Sequence, residues 1–196
     1  FYMLVNVGGF LGPPLAHFLY GWSWPTVFFG CAVLVSLNFL MLLTYPSVDS
    51  GGGKTAGFLE TAAVTFSNLF NLRLIVFILI MSGFWLMFMQ LFDLLPNFIV
   101  DWVDSSALVK SLHIPTMMTT QTARGTMITQ EWMINLDSTL IVLLMVPVAY
   151  VAGRFRRLAA MVVGIGIATG GLLLAGMSTS GAMCLLGIAV FAIGEM

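Results

Sequence analysis

The stretch "LIVFILIMSGFWLMFMQLFDLLPNF" (Leu74–Phe98) decides the fold, and Asp93 is its single ionisable side chain. A helix that crosses the ~30 Å hydrocarbon core of a bilayer needs ~20 apolar residues, whereas a barrel strand alternates over ~10. This run is long enough for the helix and does not alternate. Inside lipid every backbone N–H and C=O needs a partner within its own segment, which a helix supplies. The rest of the chain has the same character: 60% hydrophobic, 8% charged, mean hydropathy +1.04. A soluble domain is typically ~25% charged. The expected surroundings are therefore a lipid bilayer, and a net charge of −1 offers nothing to nucleic acid.

Six apolar segments follow, at about 1–19, 26–45, 73–100, 132–152, 159–177 and 181–196. They predict an all-α, polytopic membrane helix bundle. The first segment opens at Phe1 with no basic n-region or cleavage site of a signal peptide. The last, Ala182–Met196, is shorter than a full span. Both ends read as internal to a longer membrane protein.

The connections differ in kind. "YGWSWP" (Tyr20–Pro25) is uncharged and tryptophan-rich, like an interfacial belt. "PSVDSGGGKTAGF" (Pro46–Phe58) has the composition of a flexible linker. Beyond it Phe58, Ala62, Phe66, Leu69 and Phe70 recur at helical spacing, which fits either a short helix on the membrane surface or a plain coil. "GRFRR" (Gly153–Arg157) is a basic turn, and "MSTSG" (Met177–Gly181) a neutral one. The longest connection, Asp101 to about Glu131, is polar and rich in Thr and Met.

Lys and Arg collect on the cytoplasmic side. With alternating loops, Lys54, Arg73, Arg154, Arg156 and Arg157 share one side, and Lys110 and Arg124 the other. That places 46–72 and 153–158 in the cytoplasm of a cell-membrane protein. The first segment then runs from inside to outside.

Several motifs are excluded by their own spacing. "GGGKT" lacks the glycine of a phosphate-binding loop, because Val48 stands there and no strand precedes it. "GIGIATGG" (Gly164–Gly171) has Thr169 at the third glycine position of a dinucleotide fingerprint. Gly166 and Gly170 instead form a small-xxx-small pair, expected to let two helices approach closely. Cys31 and Cys184 read as small packing residues. His17 and His113 stand far apart, so neither a metal site nor a cofactor is expected. No nucleophile neighbours a base, so no catalytic residues and no enzymatic activity are expected.

The informative residues are polar groups inside the apolar segments. An ionised acid at the bilayer centre costs ~2.5–3.5 kcal/mol on insertion scales, so it is kept mainly where it meets a cavity or a partner. In Met81–Phe98, Gly83, Gln90, Asp93 and Asn97 share one helical face, as a water-lined cavity needs, and Pro96 is placed to kink the outer end. In the first segment Tyr2, Asn6, Gly9, Pro13 and His17 share another. In the fourth, Asn135, Ser138 and Thr139 lie on one side, with Asp137 turned away. Asp137 comes early, near the outer boundary, and is either part of the polar set or an ordinary interfacial acid. Glu195 lies about fourteen residues into its helix, ~20 Å along it at ~1.5 Å per residue. Such a carboxylate either exchanges a proton, pairs with a cationic substrate group, or balances an Arg or Lys.

Five stretches in order resemble the major facilitator superfamily, and its proton-dependent oligopeptide transporter branch in particular. "FYMLVNVGGFLGP" is similar to the FYxxINxG signature of the fifth helix, with Val5 for Ile. "GWSWPTVFFGCAV" resembles the start of the sixth, "GFWLMFMQ" the FWxxxxQ pattern of the seventh, "GRFRR" the turn between eight and nine, and "FAIGEM" the tenth-helix GEL pattern. The resemblance implies helices five to ten of twelve. Residues 1–45 would end the first six-helix half, 46–72 would be the linker, and 73–196 would be four helices of the second half.

It further implies a carrier that moves small peptides or similar small solutes with protons by alternating access. Glu195 would contact the substrate amino group and couple protons. Trp85 and Gln90 would line the cavity, and Asp93 would serve proton-linked gating. The branch's eighth helix carries an Asn-Pro pair that Asn135 lacks, and the loop before it is longer here.

Overall fold

The computed structural model describes residues 2–46 and 57–196. The glycine-rich stretch 47–56, with the "GGGKT" motif and most of the expected flexible linker, lies outside the described residues, as does Phe1. The helices are α1 (Tyr2–Tyr20), α2 (Trp24–Thr44), α3 (Phe58–Leu69), α4 (Leu72–Met89), α5 (Leu94–Trp102), α6 (Ser106–Leu112), α7 (Gln130–Ala152), α8 (Arg157–Gly176) and α9 (Gly181–Glu195). Four stretches are long and apolar enough to cross a bilayer: α2, Leu72–Trp102 across α4 and α5, α7 and α8. At 15 residues, α9 is a shorter apolar helix.

The chain divides into two compact units, 1–15 with 86–196, and 16–85. In the second unit, Leu19 packs so closely on Gly30 that a Cβ there would sit 2.6 Å from Leu19 Cδ1. Pro25 lies in the first turn of α2, where its missing N–H costs nothing. Phe28, Phe39 and Leu43 of α2 and Leu79 of α4 are exposed, an arrangement that suits lipid as solvent and not water. Residues 58–69 form the helix α3 and not a coil, with Phe58 and Phe66 exposed.

The first unit is built on the α8–α9 pair. Gly164, Ala168, Gly171 and Ala175 line one face of α8, spaced four, three and four. They meet Gly187, Phe191 and Gly194 of α9. A Cβ on Gly171 would lie 2.7 Å from Gly187 O, and one on Gly164 2.6 Å from Gly194 O. The expected pair Gly166 and Gly170 is not the contact, because a Cβ on either meets nothing within 4 Å. The reason is rotational: those two positions face away from α9. Phe191 is fully buried with Leu91, Leu95, Ile99, Met133 and Ile188, and its ring lies 6.1 Å from that of Phe88.

The long apolar run Leu74–Phe98 is interrupted. Gln90, Leu91 and Phe92 donate three residues back, and Leu95 donates five back to Gln90. A tight turn is thus followed by a wide one. Pro96 supplies the cause, because its ring would clash with the carbonyl of Phe92 in a continuous helix. It sits in the first turn of α5 instead, where no N–H is required.

The long polar connection carries a short hairpin within an otherwise all-α fold. Strands β1 (Thr119–Thr122) and β2 (Gly125–Ile128) pair antiparallel, Thr119 with Ile128 and Thr122 with Gly125. Gly125 holds φ at +118°, which a side chain rarely tolerates. His113, at φ 51°, ends α6, and Ile114 N–H reaches back to Val109 O. This cap is tied to the α8–α9 turn: Asp104 N–H donates to Thr179 O at 2.7 Å, and Gly181 N–H to Asp104 O at 2.8 Å. Buried Ser105 accepts from Ile128 N–H at 2.8 Å. The polar connection and the "STSG" turn therefore share one end of this unit, and the "GRFRR" turn lies at the other.

Two outcomes follow. Gly171→Ala places a methyl against backbone and should destabilise by ~1–3 kcal/mol. Gly170→Ala should be neutral or slightly stabilising. Thermal unfolding of the purified protein in detergent compares them. The Asp104 carboxylate, which accepts from Ser106 N–H at 2.9 Å, is held below its ordinary pKa of 3.8 by the Ser106 hydrogen bonds first, then by Arg124 and Lys110. A depressed folded pKa gives stability that is present above 3.8 and lost as pH falls through the folded value. Asp104→Asn should flatten that acid-side loss in unfolding measured from pH 5 to pH 2.

Candidate functional site

Three helices of the first unit bring polar side chains together. From α1, Tyr2 donates its hydroxyl to Glu195 Oε1 of α9 at 2.8 Å, closing a separation of 193 residues. Asn6, 9% exposed, donates to Tyr2 O at 3.1 Å. A Cβ on Gly9 would lie 2.9 Å from Ser138 Oγ of α7, so glycine permits this approach. Asn135 Nδ2 of α7 donates to Phe10 O at 3.1 Å.

That last bond has a local cause. In a regular helix Phe10 O accepts from residue 14, but residue 14 is a proline and has no N–H. Pro13 and Pro14 both lie inside α1. Asn135 supplies the donor that Pro14 removes. A carbonyl left unpaired away from water is costly, so the amide has a structural reason to be there.

The contacts also give direction. Tyr2 meets the end of α9, and Phe10 meets the start of α7, so α1 runs opposite to α7. Tyr2 and Gly9 are seven residues apart, ~10 Å along the helix. The site is thus a polar column. Asn135 and Ser138 stand at one end, and Asn6, Tyr2 and Glu195 at the other.

Asp137 is 2% exposed and Asn135 3%. Both are thus enclosed where α7 meets α9 and α1. Its carboxylate is an electrostatic neighbour of Glu195. Asp137 Oδ1, Glu195 Oε2 and Asn135 Oδ1 are buried without a hydrogen-bond partner. Two neighbouring acids with open acceptor atoms are a place where a proton or a cation can be held.

The other three expected residues lie elsewhere. Gln90 donates to Leu86 O at 3.1 Å and, with Asn97 and Asp101, lines a separate cleft of 490 Å³ between α5 and α8. Asp93 is exposed on the turn before α5, where its carbonyl accepts from Asn97 Nδ2 at 2.9 Å. Of the face drawn through Gly83, Gln90, Asp93 and Asn97, Gln90 and Asn97 together line that cleft, on either side of the break at Pro96. Trp85 belongs to the second unit, is 52% exposed, and meets Phe84 edge-on at 6.1 Å. The sequence reading had also missed Phe10 O and its dependence on Pro14. The proline pair itself was the available signal, since each proline in a helix orphans the carbonyl four residues earlier.

The Asn135 bond is testable as a coupled pair. Asn135→Leu should cost ~1–3 kcal/mol by leaving Phe10 O unpaired. Pro14→Ala restores a helical N–H, so the double variant should lose less than the sum of the singles. Thermal unfolding of the four proteins gives the coupling energy; strict additivity would dismiss the proline–amide link.

No family model, curated protein or solved structure matches this chain.

Proposed function

We propose that this chain is part of a secondary active transporter that moves a small organic solute, a small peptide in the first instance, together with protons. The observation that carries the reading is the Tyr2–Glu195 bond, with Asp137 as its acidic neighbour in a partly buried column. Ionisable groups deep among apolar helices are costly, and proton relays are where membrane proteins keep them. Asn6 and Asn135 extend the column by hydrogen bonding without adding charge. The resemblance of "FYMLVNVG", "GFWLMFMQ" and "FAIGEM" to the oligopeptide carriers supplies the substrate class and the twelve-helix context.

In mechanism, protonation and solute binding bias two arrangements of the helices, and coupling follows from their differential affinity for the two. Glu195 is the proton carrier, Asp137 the second acid, and Tyr2 the donor that holds Glu195 in one of the states. Residues 46–72 and the Gly153–Arg157 turn face the cytoplasm by the excess of Lys and Arg on that side. The 490 Å³ cleft beside Gln90 and Asp101 takes no part in this scheme.

Glu195→Gln in the full-length protein should reduce uptake driven by a pH gradient to background, with exchange of solute across liposomes at zero gradient retained. Undiminished gradient-driven uptake would refute the assignment. Tyr2→Phe removes one hydrogen bond to a charged group, worth ~1.5–3 kcal/mol. The state that makes this contact should then lose ~10–100-fold in population, which pH-jump kinetics of uptake would register. Competition by dipeptides separates peptide carriage from carriage of another solute or a drug.

A further inference from the structure

The connection between α7 and α8 carries three guanidinium groups within four residues, Arg154, Arg156 and Arg157, all exposed. Among the described residues none of them is paired with a carboxylate. Arg154 is held in place: its Nη2 donates to the Tyr150 hydroxyl at 2.9 Å, and its guanidinium carbon lies 4.8 Å from the Tyr150 ring centroid. Beside the cations stand two large apolar side chains, Phe155 at 61% exposure and Leu158 at 71%.

Both flanking helices are long and apolar enough to cross a bilayer. Their shared turn is then at a membrane face, where lipid head groups are. We propose that Gly153–Leu158 binds an anionic phospholipid. The three arginines take the phosphate-bearing head group, and Phe155 and Leu158 enter the first layer of acyl chain beneath it. Arginine suits the task because its planar donors match phosphate oxygens in pairs. Tyr150 presets Arg154, so less side-chain freedom is lost on binding. A free inorganic anion would use the cations and leave the apolar pair idle, which is why a lipid is the better occupant.

The inference rests on α7 and α8 crossing the bilayer, and it is independent of proton coupling. It has a structural consequence, however. Arg157 and Gly164 are seven residues apart on α8, ~10 Å, and Gly164 touches Gly194 beside Glu195. A lipid held here acts on the helix pair that positions the acid.

The test uses the full-length protein purified in detergent, with lipid retention read by native mass spectrometry. Phosphatidylglycerol and phosphatidylcholine of identical acyl chains are compared. The anionic lipid should be retained more tightly, and added salt should weaken it. Each Arg→Gln change should weaken it ~5-fold, and the triple change ~100-fold. Phe155→Ala with Leu158→Ala should weaken the lipid but leave any binding of inorganic phosphate unchanged. Equal retention of both lipids, or no loss in the Arg→Gln variants, overturns the proposal. Inorganic phosphate competing at the same concentration as the lipid would also overturn it, in favour of a free-anion site. If the triple variant fails to fold, Arg156→Gln alone and the salt titration of the unaltered protein decide the matter.

Discussion

The close approach of α8 and α9 is the constraint from which the rest of the first unit follows. With Gly164, Gly171, Gly187 and Gly194 at the crossing, backbone lies against backbone with no side chain larger than the Ala168 and Ala175 methyls between. Lipid tails are as apolar as leucine, so helices in a bilayer associate through packing and not through hydrophobic expulsion. Glycine faces provide that packing. The contact also fixes rotation. Gly194 turned toward α8 sets the direction of the next residue, Glu195, which reaches Tyr2 on α1. Phe191, one turn earlier, is driven into the core beside Phe88.

A second constraint is the backbone itself. Two proline effects shape this chain, with opposite solutions. Pro96 is accommodated by breaking the helix, so that the freed groups fall in a turn of short and long bonds. Pro14 is accommodated without a break, because Asn135 on another helix serves the orphaned Phe10 carbonyl. The difference is what lies alongside. Where a partner helix offers an amide, the helix continues; where none does, it reopens. The Pro14 solution also brings α1 against α7.

The hairpin-bearing connection adds rigidity to this assembly. Asp104 and Ser105 stitch the end of α5 to the α8–α9 turn and to β2 with backbone-scale bonds. Gly181 is required there, since a Cβ would lie 2.8 Å from Ser105 Cα. The starts of α7 and α9 are thereby held together at the end remote from Glu195. Their opposite ends carry Glu195 and the basic turn.

Much of this was legible in the residues. Apolar length alone gave α2, α7 and α8, because a bilayer leaves a chain few ways to satisfy its backbone. Periodicity placed Tyr2, Asn6 and Gly9 on one face of α1, and that face carries the contacts to α9 and α7. Apolar context marked Asp93, Asp137 and Glu195 as the acids worth explaining; Asp137 is buried, Glu195 half-buried and Asp93 exposed. Three things depended on tertiary structure. The glycine contact fell on Gly164 and Gly171 and not on Gly166 and Gly170, because rotation is chosen by the partner helix. Asp137 and Asn135 were both enclosed, because two helices pack on α7 from different sides. Asp93 came to lie exposed on the turn before α5, because Pro96 ended one helix and began another, and Gln90 lines a cleft with Asn97. Local sequence fixes which groups a helix carries; only packing decides which of them meet.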